Sequence, residues 1–315
     1  MSYSRRAAHA NSWYDGDPKA LRATIDDLFA KASNFAWESG KRLVGVISPH
    51  AGLMYSGPTA ACVYKALRDY LYGPVGGSVA EILLVGPSHH AGFDGVLVSA
   101  ARSYESPLGA LPVAGETTAA VAAALRAAGV PVDRMDRHTD EAEHSLEMQL
   151  PFLAHIAHSP PRGTAPAAQR LKLVPLLVGW TDRDMEERIG NVLAAYAADR
   201  TRLFVLSSDF CHWGSRFQYT YHYQREEHPN IGDAIIAMDH EGMDWLEKRD
   251  MDGWYKYLAR THNTICGRRP IAVGMAAVKS QPAAAVKFLH YSQSNRCANT
   301  SDSSVSYASA VITQG

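Results

Sequence analysis

The chain lacks the features that would commit it to a membrane, a nucleic acid or an oxidising compartment. It has four cysteines, Cys62, Cys211, Cys266 and Cys297, widely spaced and without a CxxC pair. That spacing argues against a disulfide framework and makes a reducing interior the default. No apolar run approaches the roughly 20 residues of a membrane-spanning helix. The first six residues lead into polar sequence and lack the apolar core of a signal peptide. Basic runs are missing too: 31 Lys and Arg face 32 Asp and Glu for a net charge of −1, and the pair Arg268-Arg269 stands alone. No nucleic-acid partner and no membrane insertion are therefore expected. What is left, 46% hydrophobic and 20% charged over 315 residues, reads as a soluble globular protein of the cytoplasm, long enough for two domains or for one large α/β domain.

What the chain does have is a repeated punctuation. Three short runs rich in Val, Ile and Leu, residues 43–48, 81–86 and 203–208, each stop at a turn bearing histidine: Pro49-His50-Ala51-Gly52, Pro87-Ser88-His89-His90, and Asp209-Phe210-Cys211-His212-Trp213-Gly214. Such runs closed by Gly or Pro read as buried strands. Further strands are expected near 95–100, 171–178, 286–292 and 305–312. Asp17-Pro18 reads as an N-cap and first-turn proline ahead of helically spaced Leu21, Ile25, Leu28 and Phe29. Thr181-Asp182 precedes a second such pattern, and helices are expected over 57–71, 116–128, 231–248 and 270–279. Residues 72–78 and 159–169 read as loops. The alternation predicts an α/β fold with a mostly parallel or mixed central sheet flanked by helices.

Side chains just past the carboxyl ends of strands converge on one crevice in such sheets. His50 and His89 are thus candidate metal ligands, since neutral imidazoles suit Zn, Fe, Cu or Ni; the competing reading makes each a hydrogen-bonded turn residue. Of the pair His89-His90, alternation on an extended segment sends one ring into the crevice. His212, next to Trp213 and three residues past Asp209, is a candidate acid/base whose proton affinity a carboxylate and an aromatic wall would set; the alternative is a structural Asp-His hydrogen bond. Cys211 reads as a packed thiol, although a cysteine hydrolase built from Cys211 or Cys266 with His212 is a third option. Cys266 is either a third metal ligand or one more small buried residue. Asp140 and Glu143 have capping-box spacing, and His144 and Glu147 share a helix face, which reads as metal binding or as solvated helix-start charge.

Several blocks then carry a resemblance: PHAG, GPSHH, DEAEHSLEMQLPFL, SSDFCHWG, HNTICGRRPI and DSSVSYAS, with His9-Ala10-Asn11-Ser12-Trp13-Tyr14 ahead of them. In order and over nearly the whole chain they resemble the Memo family, the mediators of cell motility. The resemblance implies one domain over residues 1–315, similar in fold to the class III extradiol dioxygenases. It implies His50 and His89 as imidazole ligands, Cys266 where those dioxygenases carry glutamate, and His212 as acid/base with Asp209 beside it. His90 and His144 are then expected near substrate or behind the ligands. Memo proteins are described as binding copper or iron, with zinc a further candidate, and as acting in redox signalling. Animal members are also described as adaptors for phosphotyrosine peptides that affect the cytoskeleton. A small molecule or dioxygen at the metal, and the nucleus as a second compartment, complete these expectations. Ring cleavage is not among them, because a thiolate is softer and more electron-donating than the carboxylate it replaces.

Overall fold

The computed structural model describes residues 3–167, 170–223, 228 and 230–315. Its strands begin with β1 (Ser4–Arg5), β2 (Arg42–Ser48), β3 (Glu81–Pro87), β4 (Val96–Val98), β5 (Ser103–Tyr104) and β6 (Leu111–Pro112). They continue with β7 (Val132–Arg134), β8 (Lys172–Val178), β9 (Arg202–Ser207), β10 (His212–Trp213), β11 (Ala284–Gln293) and β12 (Ser304–Gln314). The helices are α1 (Pro18–Lys31), α2 (Leu53–Leu71), α3 (Gly115–Ala127), α4 (Arg137–Ala142) and α5 (His144–Glu147). After them come α6 (Leu150–His158), α7 (Arg183–Ala198), α8 (Ile231–Glu247), α9 (Met251–Thr261) and α10 (Arg268–Ala277).

Nine of the described strands form a mixed sheet in the order β10-β12-β2-β9-β3-β8-β4-β7, with β11 paired along β12. At its centre β2, β9, β3 and β8 run parallel, and β12 and β4 flank them antiparallel. The register is what matters for a site. Ser48 pairs with Ser207, and Val85 with Leu206, so β2, β9 and β3 end nearly level and side by side. The three histidine-bearing turns thus leave one sheet edge from neighbouring strands.

Two hydrophobic layers hold this sheet. Period-2 alternation sends Leu83 and Val85 of β3, with Phe204 and Leu206 of β9, to one face, where α3, α7, α8, α9 and α10 pack. Ile82, Leu84, Leu203 and Val205 point to the other, under α1, α2 and α6. All of β2 is buried, as a strand covered on both faces must be. The helix starts follow from their caps: Asp17 accepts from the Ala20 N–H ahead of α1, and Asp182 from the Met185 N–H ahead of α7, each at 2.8 Å.

The expected helices appear as α2, α3, α8 and α10, and the expected strands as β4, β8, β11 and β12. The loop at 72–78 holds one short 3-10 turn, Gly76–Ser78. Of the loop at 159–169, residues 168–169 lie outside the described residues and 159–166 form neither helix nor strand. A mixed sheet covered by helices agrees with the class III extradiol dioxygenase-like fold. Among the described residues no helix is long and apolar enough to cross a membrane.

Candidate metal centre and adjoining groove

His50 leaves β2 and is buried, 2% exposed. Its Nδ1 lies 2.7 Å from Ser207 Oγ at the end of β9. The Ser207 hydroxyl donates its one proton to the Ser145 carbonyl at 2.7 Å and accepts from Gln149 Nε2 at 3.0 Å. With that proton committed, His50 Nδ1 is the donor, so Nε2 carries the lone pair. Burial, then the neighbouring His89, pushes the His50 imidazole well below its ordinary value and keeps it neutral.

His89, exposed at the rim past β3, is fixed the same way from another side. Its N–H donates to Glu143 Oε2 at 2.8 Å, and its Nδ1 lies 2.9 Å from Glu143 Oε1. A carboxylate only accepts, so Nδ1 holds the proton and Nε2 is again free. Burial would raise the Glu143 carboxyl, but the side-chain and backbone hydrogen bonds from His89 help to outweigh it and hold it at about 2. Glu143 also caps α5 by accepting from the Ser145 N–H. That helix can approach β3 because Gly86 lacks a side chain: a Cβ there would stand 2.6 Å from Ser145 Oγ.

Cys266 arrives from the turn between α9 and α10. A Cβ on Gly267 would sit 2.3 Å from the Ser207 carbonyl, so glycine is what lets this turn press on the end of β9. Cys266 Sγ comes 3.1 Å from His50 Nε2 and accepts from the Asp209 N–H at 3.3 Å. Burial, then the Asp209 charge, pushes its thiol well above the ordinary range. One donor atom each from His50, His89 and Cys266 lies within 4.8 Å of the others. Two lone-pair nitrogens of fixed tautomer and one sulfur are a donor set that fits Zn, Cu or thiolate-ligated Fe. Behind them Ser207 and Glu143 do what hydrogen-bond partners of metal-bound histidines do: set tautomer and ring direction.

The other expected residues are placed as follows. Asp209 is buried and its Oδ1 accepts from the His50 N–H at 2.8 Å. It does not orient His212. The His212 Nδ1 instead faces the carbonyls of Phe210 at 2.9 Å and Thr264 at 3.2 Å, and its aromatic neighbour is Phe217, edge-on at 5.3 Å, not Trp213. Carbonyls again place the proton on Nδ1 and leave Nε2 as a base. His144 packs its ring 4.2 Å from that of His89, while His90 is exposed with its ring 5.6 Å from that of His144. Cys211 is fully buried with its thiol pushed well up by burial, a packed thiol as expected and unsuited to act as a nucleophile.

The acidic run around His144 overturns the expectation of solvated helix-start charge. Asp136, not Asp140, caps α4. Asp140 and Glu147 are wholly buried, each paired with the equally buried Arg5 of β1. Glu147 further accepts from Ala8 N–H, His9 N–H and Tyr14 OH, pinning residues 5–14 beside the site. Glu143, Ser207, Gln149 and Arg5 are supporting residues that the sequence reading missed. Nothing local marks Arg5, whereas Ser207, Glu143 and Gln149 sit inside the blocks that carry the resemblance.

A groove of about 410 Å³ opens next to the cluster, walled by Trp13, Gly52, Tyr55, Arg216, Phe217 and Tyr307. Trp13 packs on the His144 ring at 4.7 Å, and Phe217 touches His212, so groove and cluster share walls.

A family model described as "Memo-like protein" matches residues 5–311. The chain is 38% identical to Protein MEMO1 of Xenopus laevis, with 99% of this chain and 98% of that protein covered. It is 35% identical to Protein MEMO1 of Homo sapiens, covering 98% and 97%. It is also 36% identical to the Protein memo-1 homolog of Caenorhabditis elegans, covering 98% and 83%. With a family match over nearly its full length, the chain belongs to the Memo family.

Proposed function

We propose that this chain is a metal-dependent redox protein of the cytoplasm in which His50, His89 and Cys266 hold copper or iron, with zinc as the redox-silent alternative. The observation that carries this reading is the pair of Nδ1 atoms tied to Ser207 and Glu143, which leaves two Nε2 lone pairs beside one sulfur. When bound, such an ion supplies one-electron chemistry toward dioxygen or a small reductant. The protein's own part is to hold the ligands, to keep His50 neutral by burial, and to offer His212 Nε2 as a proton acceptor behind the groove wall at Phe217. Asp209 positions the His50 backbone. Metal analysis of the purified chain against a His50→Ala, Cys266→Ser double variant tests the reading. The wild type should retain metal and the variant lose it; equal content in both would sink the idea.

A second reading has its own observation. The groove presents Arg216 among aromatic side chains, a surface suited to an anionic aromatic group such as phosphotyrosine in a peptide. In this reading the chain is a signalling adaptor that uses the crevice without catalysis. Saturable binding of phosphotyrosine peptides, absent for their unphosphorylated forms, is the expected result, and a flat titration rejects it.

A further inference from the structure

His144 is a histidine without a job in the centre just described. Its side chain is 13% exposed, and among the described residues its ring makes no hydrogen bond; Glu143 Oε1 stands 3.7 Å from Nδ1. The ring is nonetheless held firmly, between His89 at 4.2 Å and Trp13 at 4.7 Å, both at tilts near 30°. A packed imidazole that faces a carboxylate beyond hydrogen-bond range leaves room for an ion between them. One donor atom each from His89, Glu143 and His144 lies within 4.8 Å of the others.

We propose that His89, Glu143 and His144 form a second metal position, alternative to the one at His50, His89 and Cys266, that takes a hard divalent cation such as Mn(II). The inference rests on the reading of the first position as a metal site. Two imidazoles and a carboxylate are the donor set of non-heme Fe(II) facial triads, whereas two imidazoles and a thiolate favour softer ions. The two sets share His89, and that sharing makes them exclusive. A neutral imidazole has one lone pair. His89 offers Nε2 toward Cys266 only while its Nδ1–H donates to Glu143. An ion bound to Glu143 Oε1 and His89 Nδ1 displaces that proton, which moves to His89 Nε2 with no net proton taken up. The Nε2 lone pair is then gone, and the thiolate position has lost a ligand. The chain therefore carries one ion at a time, and the hardness of the ion selects its position.

Two probe metals and two variants test this in the full chain. Co(II) bound by Cys266 shows a thiolate-to-metal charge-transfer absorption, and bound Mn(II) is counted by electron paramagnetic resonance. Cys266→Ser should abolish the Co(II) band and leave Mn(II) affinity unchanged. His144→Phe, which keeps a ring against Trp13, should keep the band, showing a folded site, and weaken Mn(II) by about 10-fold or more. Zn(II) should expel Mn(II) one for one. Equal loss of Mn(II) in both variants, or Mn(II) and Zn(II) bound together at two ions per chain, overturns the second position. Absence of the Co(II) band from the wild-type chain overturns the thiolate centre and the alternation with it. A wild-type band without His144-dependent Mn(II) overturns the second position alone.

Discussion

Ser207 decides which nitrogen His50 offers, because its single proton goes to the Ser145 carbonyl and it must accept from the ring. In Ser207→Ala the His50 Nδ1 loses its acceptor, at a cost of about 1–3 kcal/mol for a buried group left unpaired, while Gln149 Nε2 keeps the Pro49 carbonyl. The ring is then free to turn or to change tautomer. Metal affinity should fall by about 10–100-fold, the usual penalty for losing a partner of a metal-bound histidine; chelator competition measures it, with a thermal melt to read the stability loss. Cys266 gives a second expectation at this scale. Its half-buried thiol, pushed well above the ordinary range, is protonated at neutral pH, so binding Zn(II) must expel that proton. Calorimetry in buffers of different ionisation heat should show about one more proton released per Zn(II) by the wild type than by Cys266→Ser. Equal release would mean that the sulfur stays outside the coordination sphere.

Among the elements, the short ones carry the site, and they are the ones that a sequence hides. The apolar runs of β2, β3 and β9 and the caps at Asp17 and Asp182 are local signals, so the main strands and helices were legible. Helix α5 was not. Its four residues sit in a polar run that reads as solvated, and the partners that bury Glu147, namely Arg5, His9 and Tyr14, are more than 130 residues away in sequence. His50 and His89 were legible as strand-end histidines, but Cys266 stood out only through the family resemblance, since a lone cysteine in a turn has no periodic signature. The Arg5–Glu147 pair gives this element its prediction. Burial would raise the Glu147 carboxyl, but His9, Arg5 and Tyr14 together hold it at about 2, below the ordinary 4.5. A depressed carboxylate stabilises the fold above the unfolded value and loses that contribution as pH falls through the folded one. Glu147→Gln should destabilise the chain by about 1.5–3 kcal/mol near neutral pH, since it removes a charged partner of Arg5 and leaves Asp140 as its only carboxylate. In urea melts the gap to wild type should narrow as pH drops from 4.5 toward 2. A gap that is constant across that range would mean that the carboxylate charge is not what anchors β1.

At the scale of the whole molecule, the sheet edge serves two neighbouring features, the cluster and the groove, whose walls touch. The cluster of His50, His89 and Cys266 takes its donor atoms from the turns after β2 and β3 and from the turn before α10. The groove takes Trp13 from the amino-terminal segment, Tyr55 from α2, Tyr307 from β12, and Arg216 and Phe217 from beyond β10. Since Arg216 is exposed and none of the cluster's donors lines the groove, the two should separate by mutation. Arg216→Ala is expected to leave metal content unchanged while weakening a phosphotyrosine peptide by about 10–100-fold, the worth of one hydrogen bond to a charged group at about 1.5–3 kcal/mol. The His50→Ala, Cys266→Ser variant should do the reverse, losing metal and keeping the peptide. Peptide titrations followed by fluorescence polarisation, run beside metal analysis on the same preparations, read both. If peptide and metal instead fall together in either variant, the groove acts through the ion, and the adaptor reading collapses into the metal-dependent one.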